Sequence, residues 1–554
     1  MYCDRISKKV INPKPKIKIN KISQSISHID ANNSIGFVAA AQDDPDDAKM
    51  QPFVKAREAL EQFTAELTFL VEQGLPLKYA IVLHTTYVNG AITHLLRTQF
   101  VSAEFCVEWD AVICKFWAFA LERDLQNFPH AQVQLFLPKA LGGCGVQSAE
   151  RRREAAFVGA FEQSFATVAH TLGFTAAGHF VSSCPRLHAT LVEAGTRLAA
   201  KGARGYEFSP EACFAEPMAK RQHVHMDKVQ KFCLAELWKV LPLEDRADLL
   251  SAGGKIAGNF LDPSPQPGDS FCMPDHHVRC ALRRRLGLVA PGFCRSFHPG
   301  SSSTQCKHKS HSSGAFCGAE LDLYGRHAAQ CQVGGLVDRW HDIIRDWLLS
   351  WVAEHSVYPV AREPFVSQWD YPSANARGVV TMVKARLDGG FHYPKGGLGF
   401  FDVVIPDAAT TDMSVIRARA HNEGSAAHEA VLFKTNKYSP EKYPGATLVP
   451  FAVEALGRPS EPALQLFRDL APTEASERAA VLKDAHYRLS TLVAMRQAEL
   501  QMSAEGAAVY GGTPRKPVLP SQNDRRPRLG PTDLATLTAP DAAGERGGPP
   551  GWAE

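Results

Sequence analysis

A change of hydrophobic period near residue 356 constrains this chain more than any other feature. In "GLVDRWHDIIRDWLLSWVAEH", Trp340, Ile343, Ile344, Trp347, Leu348 and Trp351 recur at i, i+3, i+4, i+7, i+8 and i+11. That spacing draws one wide apolar stripe along a helix. Strand-like runs follow: "YPVAREPFV", "VKARLDGGFHY" and "GLGFFDVVIP". A helix about 423–438, a strand in "ATLVPFAVEA" and a helix about 461–471 complete the series. The stripe is read as core, and the order α, β-hairpin, α, β, α gives an expected α/β domain over 336–475.

The regions before and after read differently. Residues 1–50 mix Lys, Ile, Asn and Ser without a period and end in "AAQDDPDDAK", and are expected to form a disordered leader. Helical periodicity runs through 52–260, which is read as an α-helical N-terminal bundle. A turn interrupts it at "LPKALGGCGV", where Pro138, Gly142, Gly143 and Gly145 gather. A further helix is expected over 476–502. The Pro-, Gly- and Arg-rich residues 503–554 are expected to be a disordered tail. At 554 residues the chain is long enough for several domains. No apolar h-region marks a secretory signal, and no run is long and apolar enough to read as a transmembrane segment.

Region 265–335 carries the metal chemistry. Six of the 13 cysteines fall within it. In a chain without a secretory signal, clustered Cys and His read as metal ligands rather than a disulfide framework. Cys306, Cys317, His327 and Cys331 have the spacing Cys-x10-Cys-x9-His-x3-Cys. Structural zinc takes four such ligands in a tetrahedron, and His-x3-Cys puts two of them one helical turn apart. Cys294, His308 and His311 are each open as replacements for Cys306.

The same region is basic. From His276 to Ala319 no Asp or Glu occurs, while Arg279, Arg283, Arg284, Arg285, Arg295, Lys307 and Lys309 do. A one-signed run suits a phosphate backbone, so these seven are candidate nucleic-acid contacts.

A second constellation lies in the α/β region. Asp388 sits in "KARLDGGFHY" and Asp402 in "GFFDVVIP". Gly389–Gly390 and Gly396–Gly397 favour a hairpin-like return between them, which would bring the carboxylates together. Adjacent carboxylates repel unless they share a cation, and Mg²⁺ uses one or two carboxylates with water and phosphate oxygens. The following helix carries Lys434, Lys437 and Tyr438 at i, i+3 and i+4, on one face. A lysine there could stabilise charge developing on a phosphate. Lysine and tyrosine beside it could hold a neighbouring phosphate.

Taken in order, these pieces resemble the C-terminal half of early-branching, LINE-like non-LTR retrotransposon proteins. "LPKALGGCGV" is similar to the Leu-Pro…Gly-Gly-x-Gly segment that follows the polymerase thumb of that family. "CGAELDLYGRHAAQC" with "GGLVDRWHDIIRDWL" is similar to its Cys/His knuckle and first endonuclease helix. "ARLDGG…GFFDVVIPDA…EAVLFKTNKY…GATLVPFAVEALG" is similar to its endonuclease core. The resemblance implies a multidomain chain: a thumb-like helical region, a zinc knuckle and a restriction-like PD-(D/E)xK endonuclease. It implies Mg²⁺ (or Mn²⁺) on Asp388 and Asp402, a catalytic lysine from Lys434 or Lys437 with Tyr438 beside it, and structural Zn²⁺ in the knuckle. It also implies DNA as substrate, the element's RNA and a separate reverse transcriptase as partners, and a nuclear location.

Val404 stands where the usual Asp-x-Lys lysine would be, and in the retrotransposon enzymes that lysine comes from the following helix. Two departures from the family stand out. Leu387 replaces the Pro before Asp388, and the polymerase motif is missing. No Phe/Tyr-x-Asp-Asp motif occurs, so the chain is expected to be a truncated element that cannot polymerise alone. Two further readings stay open: a catalytically inactive nucleic-acid-binding remnant, and a helical interaction protein.

Overall fold

The computed structural model describes residues 46–215, 220–265, 273–288, 305–322, 325–356, 358–374 and 378–506. Most of them are helical, with a small mixed sheet and a Cys/His cluster. The leader over 1–45, the tail beyond 506 and Arg295 lie outside the described residues. The leader expectation is corrected at its end, because the first helix already runs Asp46–Glu72.

The chain forms two compact units. One combines the stretch up to Glu58 with Gly90–Val107 and Ala149–Val229; the other combines Ala59–Asn89, Glu108–Ser148 and everything from Gln230 on. The expected single bundle over 52–260 is therefore divided, and parts of it belong with the C-terminal region. In the first unit, helix Ala149–Leu172 is central and supplies Phe161 and Phe165 to an aromatic cluster with Phe180, Phe208 and Phe214. Its buried Glu162 accepts from Tyr206 Oη at 2.8 Å and lies 2.8 Å from His225 Nε2. Burial thus leaves that carboxylate partnered.

The second unit holds both candidate sites. Its labelled helices are α1 (Asp275–Arg285), α2 (Leu336–His355), α3 (Ser425–Lys437), α4 (Glu461–Leu470) and α5 (Ala475–Ala504). Its strands are β1 (Ala361–Arg362), β2 (Tyr371–Ala374), β3 (Val380–Val383), β4 (Gly389–His392), β5 (Leu398–Val404) and β6 (Ala446–Ala452). One sheet has the order β1-β4-β5-β6; β2 and β3 form a separate antiparallel pair. β4 and β5 are antiparallel, whereas β5 and β6 are parallel, joined by a crossover that includes α3.

The Trp stripe of α2 does what its period requires. Trp340, Ile344, Trp347, Leu348 and Trp351 are buried with Phe391, Phe401 and Val403 from the sheet, Phe467 from α4 and Leu489 from α5. Glycine makes this close approach possible, since a Cβ at Gly389 would lie 2.3 Å from the Phe401 ring. The opposite sheet face packs Leu398 and Phe400 with Trp369, Leu387 and Tyr438. Helix α5 spans much of the unit: it packs on α1, α2, α4 and the short helix Arg326–Gln330. Its Glu499 accepts from Trp340 Nε1 at 2.9 Å, and its Ala504 carbonyl accepts from Lys307 N at 2.8 Å.

The turn at "LPKALGGCGV" is fastened from α1. Arg285 donates to the carbonyls of Gly143 at 3.0 Å, Lys139 at 3.0 Å and Ala257 at 3.3 Å. Gly143 tolerates no side chain, because a Cβ would fall 2.1 Å from Leu137 O.

Candidate metal sites in the C-terminal unit

The knuckle is a small hairpin followed by one helical turn. Bridges pair Gln305 with Glu320 and Lys309 with Phe316, while Cys317 N donates to His308 O at 2.7 Å. Alternation along the first strand turns Cys306 and His308 inward and Lys307 and Lys309 outward. Asp322 caps helix Arg326–Gln330: its carboxylate accepts from Arg326 N at 3.1 Å and His327 N at 2.8 Å, which orients the His327 turn.

The potential ligand atoms of Cys306, Cys317, His327 and Cys331 all lie within 4.8 Å of one another. Cys306 Sγ is 3.9 Å from Cys331 Sγ, and Cys317 Sγ is 3.5 Å from His327 Nε2. A disulfide needs about 2.05 Å, whereas sulfurs around a tetrahedral zinc with ~2.3 Å bonds lie about 3.8 Å apart. The cluster therefore fits a structural metal such as zinc. Burial pushes the Cys306 thiol up to about 12 and raises Cys331, while the Ala319 backbone N–H holds Cys317 below its ordinary value. Of the candidate fourth ligands, Cys306 joins the cluster, whereas His308 and His311 do not; Cys294 lies outside the described residues.

The basic run is corrected. Arg283, Arg284 and Arg285 are all buried. Arg283 Nε donates to Leu121 O at 2.6 Å and its Nη2 to Glu122 O at 3.2 Å, while Arg279 Nε donates to Ala120 O at 3.2 Å. These two cap the C-terminal carbonyls of helix Ala103–Leu121, where cations are favoured. Arg284 pairs with Asp248 at 2.6 Å, and Arg326 bonds the same carboxylate at 3.1 Å. Arg283, Arg284 and Arg285 thus hold this unit together and offer no free face to a phosphate backbone, whereas Arg279 is only partly buried. Lys307 and Lys309 are exposed, as a nucleic-acid contact requires.

The aspartate pair is built by strand register. Gly389 pairs with Phe401, so the step before it sets Asp388 opposite Asp402. Asp388 N donates to Phe401 O at 3.1 Å, and Val403 N donates to Asp388 Oδ2 at 2.7 Å. The two carboxyl groups are near enough for each to perturb the other's ionisation, and both are buried. Lys434 Nζ lies 2.6 Å from Asp402 Oδ2. Burial raises Asp402 to about 6; the charge of Lys434 opposes that rise and the charge of Asp388 adds to it. Burial also works against ionised Asp388, yet its bond and charge contact with His341 and the Val403 N–H hold it below its ordinary value.

The remaining predicted residues separate from this pair. Lys437 Nζ sits over the ring of Tyr371 at 4.4 Å and that of Tyr438 at 5.0 Å, away from the carboxylates. Tyr438 is buried with Trp369 at 6.1 Å between ring centres, so it is a core residue beside the site. The sequence reading missed His341, whose Nε2 lies 3.2 Å from Asp388 Oδ2 and 3.2 Å from Val403 O. Its one sequence signal is a polar ring next to Trp340, on the flank of the apolar stripe.

No protein-family model matches this chain, and no curated protein matches it significantly. Among the described residues, no helix is long and apolar enough to cross a membrane.

Proposed function

We propose that the C-terminal unit is a divalent-metal-dependent DNA endonuclease of restriction-like type, in a protein derived from a non-LTR retrotransposon. One observation carries this reading: two buried carboxylates face each other across β4 and β5, with a lysine 2.6 Å from one of them. Burying like charges side by side is costly, and a shared cation relieves that cost. The donor set is all oxygen, which suits Mg²⁺ or Mn²⁺. A bound Mg²⁺ would polarise the scissile phosphate and lower the pKa of a coordinated water.

Asp388 and Asp402 would hold that ion. Lys434 is within reach of the same space and, once Asp402 is committed to the metal, is free to stabilise negative charge gathering on the phosphorane. Tyr438 would brace the lysine helix from the core side. Lys437, held by Tyr371, has no part in this chemistry. The antiparallel β4–β5 pair followed by a parallel crossover through α3 supports the restriction-like reading.

The Cys3His cluster would carry zinc and keep the knuckle folded, with Lys307 and Lys309 presented to DNA or to the element's RNA. A nick left by this unit would prime a reverse transcriptase supplied by a separate chain, and such work belongs in the nucleus. The test is nicking of supercoiled plasmid by the purified zinc-loaded chain in Mg²⁺ and in Mn²⁺. Nicking that disappears in Asp402→Ala supports the proposal. Absence of nicking in either metal overturns it.

A further inference from the structure

The two oxygens of Asp388 have different surroundings. Oδ2 accepts the Val403 N–H at 2.7 Å and lies 3.2 Å from His341 Nε2. With the Val403 N–H bonded to it and the His341 ring nitrogen close by, Oδ2 has little capacity left for a cation, and Oδ1 is the oxygen left to serve the space shared with Asp402. A carboxylate free to rotate would exchange its oxygens; here both contacts must be given up before it can.

His341 is well placed to impose that constraint. It stands in the first turns of α2, where Trp340 and Ile344 are fully buried and fix the helix against the sheet. Nε2 also lies 3.2 Å from the Val403 carbonyl, so the ring is held against both a strand backbone and a side chain. On its other edge, Nδ1 is 3.5 Å from Asp342 Oδ1. A carbonyl oxygen can only accept, so the closeness of Nε2 to Val403 O requires the proton on Nε2. That proton is bonded to Val403 O, and the same nitrogen stands 3.2 Å from Asp388 Oδ2. An Nε2 so engaged has no lone pair for a metal, and His341 is therefore not itself a ligand.

We propose that His341 is a positioning residue of the aspartate pair: its Nε2–H fixes Asp388 Oδ2 and so presents the other oxygen to a divalent cation. The proposal rests on the metal-binding reading of Asp388 and Asp402, and it adds an element, α2, that this reading does not require. Partners of this kind typically change metal affinity by ~10–100-fold when they are removed.

The experiment measures Mn²⁺ binding by electron paramagnetic resonance on the zinc-loaded full chain, with no nucleic acid present. Asp402→Ala reports on the site itself: if it binds Mn²⁺ as wild type does, the carboxylate pair is not the site and both readings fall. His341→Gln keeps an N–H donor at the Nε2 position, whereas His341→Asn places its amide too short to reach Asp388. The expected result is near-wild-type affinity for His341→Gln and ~10–100-fold weaker binding for His341→Asn. His341→Leu gives the same loss, with circular dichroism confirming the fold of each variant. Wild-type affinity in His341→Asn, or an equal loss in His341→Gln, overturns the positioning role while leaving the metal site standing.

Discussion

Lys434 Nζ and Asp402 Oδ2 lie 2.6 Å apart, whereas Lys437, one helical turn further on, points into a pair of tyrosine rings. Two lysines on one face of α3 thus have separate fates, decided by what each can reach. Lys434 meets the carboxylate end of β5, and Lys437 meets Tyr371 on β2. Only the first is placed to act on the substrate proposed to bind at the aspartates.

That separation predicts unequal effects on nicking. Lys434→Ala should slow single-turnover nicking by on the order of 10²–10³, the usual cost of losing one preorganised charge-stabilising group. Lys437→Ala should nick at the wild-type rate while losing some stability from the Tyr371 contact. Equal losses in the two variants would refute the assignment.

Arg284 should matter for folding and not for DNA. Removing it strips Asp248 of its closest partner in a buried pair, which costs about 3 kcal/mol or more. The urea midpoint of Arg284→Ala should fall accordingly. Lys307→Ala and Lys309→Ala should leave that midpoint unchanged. Each should instead reduce the slope of log binding against log salt by about 0.9, the contribution of one phosphate contact.

The knuckle should bind one zinc per chain. Metal analysis of wild type and Cys331→Ser checks the stoichiometry, and the variant should lose the metal. Chelation should lower the melting temperature of the wild type but not of Cys331→Ser. A wild-type melt that ignores chelators would argue against a metal in the Cys3His cluster.

Acid should weaken the C-terminal unit through His84. This imidazole is fully buried, stacks on Phe116 at 3.9 Å, and is pushed by burial from 6.5 down to about 3. The unfolded chain therefore takes up a proton that the folded chain refuses. Stability is full above pH 6.5 and falls as pH drops toward 3, by about 1.4 kcal/mol per pH unit. His84→Phe keeps a stacked ring and should flatten this part of the profile in urea titrations at pH 7 and pH 5.

What the sequence revealed, it revealed through local patterns. The α2 stripe, the return between Asp388 and Asp402, and the long helix at the end of the described chain follow from period and glycine placement. The strand expected in "YPVAREPFV" shrinks to Ala361–Arg362, and the β2–β3 hairpin was not foreseen. The larger misreading concerned charge. Arg283, Arg284 and Arg285 look like a solvated basic run because their partners, Leu121, Asp248 and Gly143, lie far away along the chain. The role of His341 was hidden for the same reason, since Asp388 reaches it only after the sheet has folded onto α2. The two compact units also interleave in sequence, so no composition boundary could mark them.

Helix α5 closes the apolar face shared by α2, α4 and the sheet, and it also touches the knuckle. It is synthesised after every one of those elements. Until α5 arrives, the tryptophan stripe and the strands wait half covered, and the nascent chain is exposed to aggregation or chaperone capture. Neither the Cys3His cluster nor the aspartate pair is held by its full native surroundings before that moment. The nuclease proposed for this unit would stay idle during translation and become competent only once α5 docks.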